Sequence, residues 1–151
     1  MKRAKVSLIL LLSFISLQLS AQNKILIVVT NNKEFKANLG TEKDTVLQGG
    51  YELSEVARAY KVFTESGFKV DFMRPKGGMT YAEPEEKLSE INKEFLNHKK
   101  AQKQLQHTLA PKEAKASHYK AIYFAGGKTM WDFPDNQELS DLVTAIYEAN
   151  G

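Results

Sequence analysis

The chain has 151 residues, 42% of them hydrophobic and 26% charged, with no cysteine. That length suits one ordinary domain, the balance excludes a disordered or collagen-like chain, and the lack of cysteine excludes disulfides and any thiol nucleophile of the chain's own. The 21 basic and 18 acidic residues suggest a basic protein, but Lys2, Arg3 and Lys5 lie in a 21-residue leader without acids, so the remainder is formally neutral and gives no argument for a nucleic-acid partner.

The leader joins that basic start to the apolar run VSLILLLSFISLQL and the small pair Ser20-Ala21. It reads as a secretory signal peptide over 1–21, cut near Ala21–Gln22. Its apolar core is short and interrupted by serines and a glutamine, so no stable membrane span is expected after cleavage. The mature part, 22–151, is expected to be exported, either periplasmic or secreted.

KILIVVT (24–30) is a continuous β-branched run and predicts a strand buried on both faces of a parallel sheet. Residues 31–50 are polar, contain Gly40, Gly49 and Gly50, and predict a long loop. ELSEVARAYKVFTES (52–66) predicts a helix, with Leu53, Val56, Ala57, Tyr60 and Phe63 on one face and Gly67 as its stop. FKVDFM (68–73) alternates as a second strand. Pro84 is expected to open a helical stretch, PEEKLSEINKEFLN, with Leu88, Ile91 and Phe95 inward. HKKAQKQLQH follows as a polar, solvated helix, giving a helical insert over about 84–112. KAIYFA (120–125) is the third strand. Asp135 and Glu138 have capping-box spacing for a last helix that points Leu139, Leu142, Val143, Ile146 and Tyr147 inward. Strands alternating with helices predict an α/β layered sheet with right-handed crossovers.

The third strand runs into Gly126-Gly127-Lys128-Thr129. A phosphate loop would need a glycine five residues before Gly127, where Ile122 stands, and a helix starting at Lys-Thr, where MWDFP follows. The dinucleotide pattern G-x-G-x-x-G is absent too. Two readings stay open. One is a plain tight turn. In the other, a glycine pair beyond the carboxyl end of a strand exposes main-chain N–H groups to a reacting oxygen, as an oxyanion hole does. His98, His107 and His118 lack metal-ligand spacing, and no metal is expected.

GGYELSEVARAYKVFTESGFKVDFMRPKGG (49–78) and KASHYKAIYFAGGKTMWDFPDNQELSDLVTAIYEANG (115–151) resemble the DJ-1/PfpI superfamily, the class I glutamine amidotransferase-like proteins. The resemblance is greatest to the branch of heat-shock protein 31 and the glutathione-independent glyoxalases. In that branch the pattern is Gly-aromatic-x-x-x-Glu, a helix, G-F-x-V-D-F and a Pro-x-Gly-Gly turn, followed by a G-G-H-G-x-M-W-D-x-P-D-N region. The likeness covers essentially all of 24–151. It implies a flavodoxin-like three-layer sandwich with a parallel sheet, incomplete at the C-terminus, because the family's A-x-C-H-G nucleophile elbow would follow the last helix after one short strand. That strand is expected between the first and third strands or beside them, and without it the isolated chain is expected to be marginally stable.

By the same resemblance Glu55 is the glutamate that hydrogen-bonds the cysteine; partly desolvated, it would share a proton with the thiolate. Gly126 and Gly127 match the oxyanion glycines, and Lys128, Trp131 and Asp132 fall at the pocket rim. Here the motif reads GGKTMWD, one residue shorter than in the family, and the pocket-edge histidine is lost. The implied activity is cofactor-free conversion of small α-oxoaldehydes, with this chain lacking the cysteine and inactive alone. A chaperone-like holdase is the alternative, and a homodimer is in keeping with the family.

Overall fold

The computed structural model describes residues 23–38, 40, 45–127 and 133–150; the leader lies outside them. The elements are β1 (Lys24–Val28), β2 (Glu34–Ala37), β3 (Thr45–Gln48), α1 (Leu53–Glu65), β4 (Lys69–Met73), α2 (Glu90–Asn97), α3 (Lys99–Gln106), β5 (Tyr119–Phe124) and α4 (Gln137–Asn150), with short 3-10 turns at Pro111–Glu113 and Ala116–His118. β1 pairs in parallel with β4 on one side and β5 on the other, so the sheet order is β4-β1-β5.

The β-branched run of β1 is central for a physical reason. Its side chains alternate between faces, and both faces are apolar. Ile27 and Val29 pack with Val70, Phe72, Val56, Ala57 and Tyr60, and with Phe95, Ala101 and Leu105 from α2 and α3. Leu26 and Val28 pack on the opposite face with Met73, Tyr119, Leu139, Leu142 and Ile146. The result is the expected three-layer α/β arrangement. Each fully buried aliphatic or aromatic side chain of this kind contributes about 1.5–3 kcal/mol. Among the described residues no helix is long and apolar enough to cross a membrane.

Several local expectations are corrected. Residues 31–50 are not all loop: β2 and β3 pair antiparallel, Phe35 opposite Leu47. Their side chains are exposed or half-buried, so little hydrophobic alternation marks them in sequence. The helix expected from Pro84 begins at Glu90, because the Ser89 hydroxyl accepts from the Asn92 N–H at 3.2 Å. Glu85, expected within that helix, instead accepts from the Asn92 amide (2.7 Å) and the Ser54 hydroxyl (3.2 Å). α3 is not solvated all round, since Ala101 and Leu105, one turn apart, are buried in the core. α4 takes its cap from Asn136, whose Oδ1 accepts from the Leu139 N–H at 2.8 Å, and not from Asp135. Tyr147, expected inward, is 75% exposed. A further strand between the first and third is excluded, because β1 and β5 are directly hydrogen-bonded.

The two sides of the sheet differ. Beyond β4 the chain covers the edge: the Leu109 N–H donates to the Phe72 carbonyl (2.9 Å) and the Arg74 N–H to the Leu109 carbonyl (3.1 Å). At the amino ends of the strands, Asp71 accepts from Lys24 (2.9 Å), the Tyr119 hydroxyl (3.0 Å) and the Gln104 amide (3.3 Å). Burial first, then the charge of Asp71, pushes the Tyr119 phenol well above its ordinary range.

The cap assignment is testable. Asn136→Ala is expected to cost about 1 kcal/mol, read from the urea midpoint at unchanged m, whereas Asp135→Ala is expected to cost less than about 0.5 kcal/mol. Equal losses would contradict the assignment.

Candidate active site

β5 ends at Phe124, and Ala125-Gly126-Gly127 continue past the carboxyl end of the sheet. That is where open α/β sheets place their ligands. The N-terminus of α1 meets this tip. Its cap residue is Glu52, whose carboxylate accepts from the Ser54 and Glu55 N–H groups. The Glu52 N–H in turn donates to the Gly126 carbonyl at 3.0 Å. One turn into the helix, the Glu55 carboxylate accepts the Gly126 N–H at 2.6 Å. Both polar main-chain groups of Gly126 are therefore held by the first turn of α1. The bond is charge-assisted, and the acid lies at the helix end where the dipole favours a negative charge.

This contact answers why glycines stand here. A Cβ on Gly126 would lie 2.7 Å from Glu55 Oε2 and 2.9 Å from Oε1. A Cβ on Gly127 would lie 2.5 Å from the Gly50 carbonyl oxygen, and the residue has a φ of +148°. Gly50 is crowded in the same way by the carbonyl of Tyr81, at 2.5 Å from a notional Cβ. Three stretches of bare main chain meet at this point. The Tyr51 N–H donates to Tyr81 (2.9 Å) and the Glu83 N–H to Tyr51 (2.8 Å), stitching 81–83 to the entry of α1.

Residues that sequence reasoning passed over also line the tip. The Glu83 Oε1 lies 3.3 Å from the notional Gly127 Cβ. Tyr51 is buried, and burial raises its phenol. Tyr123, on β5, has its phenol raised by burial first and then by the charges of Glu55 and Glu52. Gly50 and Tyr51 had a signal in the Gly-Gly-Tyr before the helix. Glu83, beside Pro84, had none.

The site residues expected from sequence are thus partly brought together. Glu55 and Gly126 are in direct contact, and Gly127 is adjacent. Lys128, Trp131 and Asp132 lie outside the described residues. The expected partial desolvation of Glu55 is not supplied here: the residue is exposed, although its carboxylate turns back onto Gly126. The Gly126 N–H is engaged by that carboxylate, so a reacting oxygen would compete with Glu55 for it. Among the described residues no cluster of three or more histidine or acidic side chains is arranged to hold a metal ion.

The chain is 28% identical over 142 residues to the glutathione-independent glyoxalase HSP31 of Saccharomyces cerevisiae, covering 87% of this chain and 55% of the relative. It is 30% identical over 108 residues to the probable glutathione-independent glyoxalase SNO4 of the same yeast, covering 68% and 45%. The chain belongs to the DJ-1/PfpI superfamily, in its heat-shock protein 31 branch. No family model matches it. Among solved structures, the Francisella tularensis rapid encystment protein of 24 kDa superposes with a TM-score of 0.71 at 26% identity, over 86% of this chain and 56% of that one. Glyoxalase III of Candida albicans shares the fold, with a TM-score of 0.65 at 16% identity over 85% and 54%. The chain spans about half the length of the relatives it matches. It is a glyoxalase-like DJ-1/PfpI domain, and Glu55 and Gly126, singled out by the superfamily's motifs, meet in its structure.

The two glycines should respond differently to substitution. Gly126→Ala pushes only the flexible end of Glu55, so a loss of about 1 kcal/mol is expected, largely absent in a Glu55→Ala background. Gly127→Ala sets a side chain against backbone at a positive φ, and about 1–3 kcal/mol is expected, not relieved by Glu55→Ala. Denaturant unfolding of the four variants checks this; equal losses with no coupling would contradict the geometry.

Proposed function

We propose that this domain provides the acid–base carboxylate and the main-chain donors of a cofactor-independent glyoxalase or deglycase-like site for small α-oxoaldehydes. One observation carries the reading: the Glu55 carboxylate sits 2.6 Å from the Gly126 N–H at the carboxyl end of β5. Similarity to two yeast glyoxalases supports the substrate class.

In the proposed reaction a thiolate attacks the aldehyde carbon, and the carbonyl π pair moves to oxygen. Protonation of that oxygen gives a hemithioacetal. Glu55 takes the proton from the former aldehyde carbon and returns one to the neighbouring carbonyl carbon. The product of this transfer is an α-hydroxy thioester. Water cleaves it, releasing the hydroxy acid and the thiol. The Gly126–Gly127 main chain faces the developing oxyanion. The sequence has no cysteine, so the thiolate has to come from chain outside these residues. The leader supports export, with cleavage near Ala21–Gln22; N-terminal sequencing of the exported product checks that site.

A holdase is the second reading. It is favoured by the exposed Phe124 and Tyr147, 39% and 75% accessible. Suppression of client aggregation that is indifferent to Glu55→Ala would support it over catalysis.

The chain alone is expected to consume no methylglyoxal. With the cysteine-bearing half of a relative supplied, turnover is expected to appear and to fall by about 10²-fold or more in Glu55→Gln. Turnover by the unaided chain defeats the cysteine mechanism.

A further inference from the structure

We propose that Asn92 and Glu85 are positioning residues for the candidate site: through Ser54 they hold the first turn of α1 so that the Glu55 carboxylate is directed onto Gly126. The proposal deepens the glyoxalase reading and rests on it for what the positioned acid does.

Asn92 breaks the pattern of its own helix. It shares the inward face of α2 with Phe95, and both are buried. A buried amide normally has all its polar atoms satisfied. The Asn92 Nδ2 does so twice, donating to Glu85 Oε2 (2.7 Å) and to Ser54 Oγ (2.9 Å). Its Oδ1 is buried with no partner among the described residues. An apolar side chain would fill the same place without that desolvation cost. A position that breaks a local rule at the expense of stability points to the contacts it keeps.

Those contacts close a triangle. The Ser54 hydroxyl accepts from Asn92 and donates to Glu85 Oε1 at 3.2 Å. Each corner comes from a different stretch of chain: Ser54 from α1, Asn92 from α2, and Glu85 from the segment that joins β4 to α2. The Asn92 N–H, bonded to the Ser89 hydroxyl at 3.2 Å, fixes the start of α2 at the same place.

The triangle reaches the site by two routes. Ser54 precedes Glu55, and the Glu52 carboxylate accepts both of their N–H groups. The Glu52 N–H donates to the Gly126 carbonyl, and the Gly126 N–H donates to Glu55. An unbroken run of hydrogen-bonded groups thus joins Asn92 in the core to Gly126 at the strand tip. By the other route, Glu85 lies two residues from Glu83, whose N–H donates to the Tyr51 carbonyl (2.8 Å) and whose Oε1 approaches Gly127. Glu55 is itself exposed and has no packing to direct it. Its restraint has to come from the turn that carries it, and a misplacement of about 1 Å at a reacting group costs on the order of 10²-fold in rate.

The amide proton of Gly126 reports the bond to Glu55. Its chemical shift is compared between the chain and Glu55→Gln, and the difference is measured again in Ser54→Ala, Ser54→Thr and Asn92→Ala backgrounds. The difference is expected to fall by about half or more in Ser54→Ala and Asn92→Ala, and to persist in Ser54→Thr, which keeps the hydroxyl. Alanine is a good helix former, so Ser54→Ala leaves α1 intact, and the amide shifts of Leu26 to Val29 check the sheet. The Ser54 pair decides the outcome even where Asn92→Ala does not fold. An undiminished difference in Ser54→Ala overturns the proposal, and so does an equal loss in Ser54→Thr. Methylglyoxal turnover is read in the preparation supplied with the cysteine-bearing half of a relative. There Ser54→Ala is expected to lower kcat about tenfold and to change KM less than about twofold. Full turnover in Ser54→Ala overturns the proposal. The expected shifts with no turnover in any preparation leave the positioning standing and remove the glyoxalase reading.

Discussion

The site depends on how closely three pieces of main chain can approach one another. Gly50, before α1, Gly127, after β5, and the carbonyl of Tyr81 leave no room for a side chain at either glycine. That closeness lets the first turn of α1 reach the strand tip, where Gly126 donates to Glu55 and accepts from Glu52. A carboxylate on a solvated helix face is usually held by water, and its rotamers are free. Here the N–H of Gly126 gives it one preferred direction. The glycines thus position an acid, and the acid then occupies the very amide that an oxyanion would use.

The surrounding charge has a consistent sign. Glu52, Glu55 and Glu83 all approach the tip, and the phenol of Tyr123 is kept protonated by burial and by the first two of these charges. The end of α1 offsets part of this through its dipole. Such a concentration of carboxylates disfavours an anionic ligand at the tip.

The sheet is asymmetric in its cover. Its β4 edge is closed by residues 104–109 through main-chain and glutamine hydrogen bonds. Its β5 edge carries apolar grooves and an unpaired amide oxygen.

The sequence by itself determined the central parallel strand, because an unbroken β-branched run can be buried only with apolar layers on both faces. It also determined α1, β4, β5 and α4, whose 3.6- and 2-residue periods are strong, while the family motifs singled out Glu55 and Gly126 separately and the structure brought them into contact. The β2–β3 hairpin was illegible because both its faces are wet, and periodicity reports burial. The start of α2 was misplaced because Pro84 is a good first-turn residue, while Ser89 and the buried Asn92 decided the cap through contacts with Ser54 and Glu85, distant in sequence. Tyr147 lies on the apolar stripe of α4 yet is exposed, because a helix pattern identifies a face and only its neighbours decide whether that face is covered. The tertiary structure alone decided that the glycines answer to steric crowding by Glu55 and Gly50, that Glu83 joins the site, and that β1 and β5 are direct neighbours in the sheet. Each of these depends on distances between segments far apart along the chain, which local pattern does not encode.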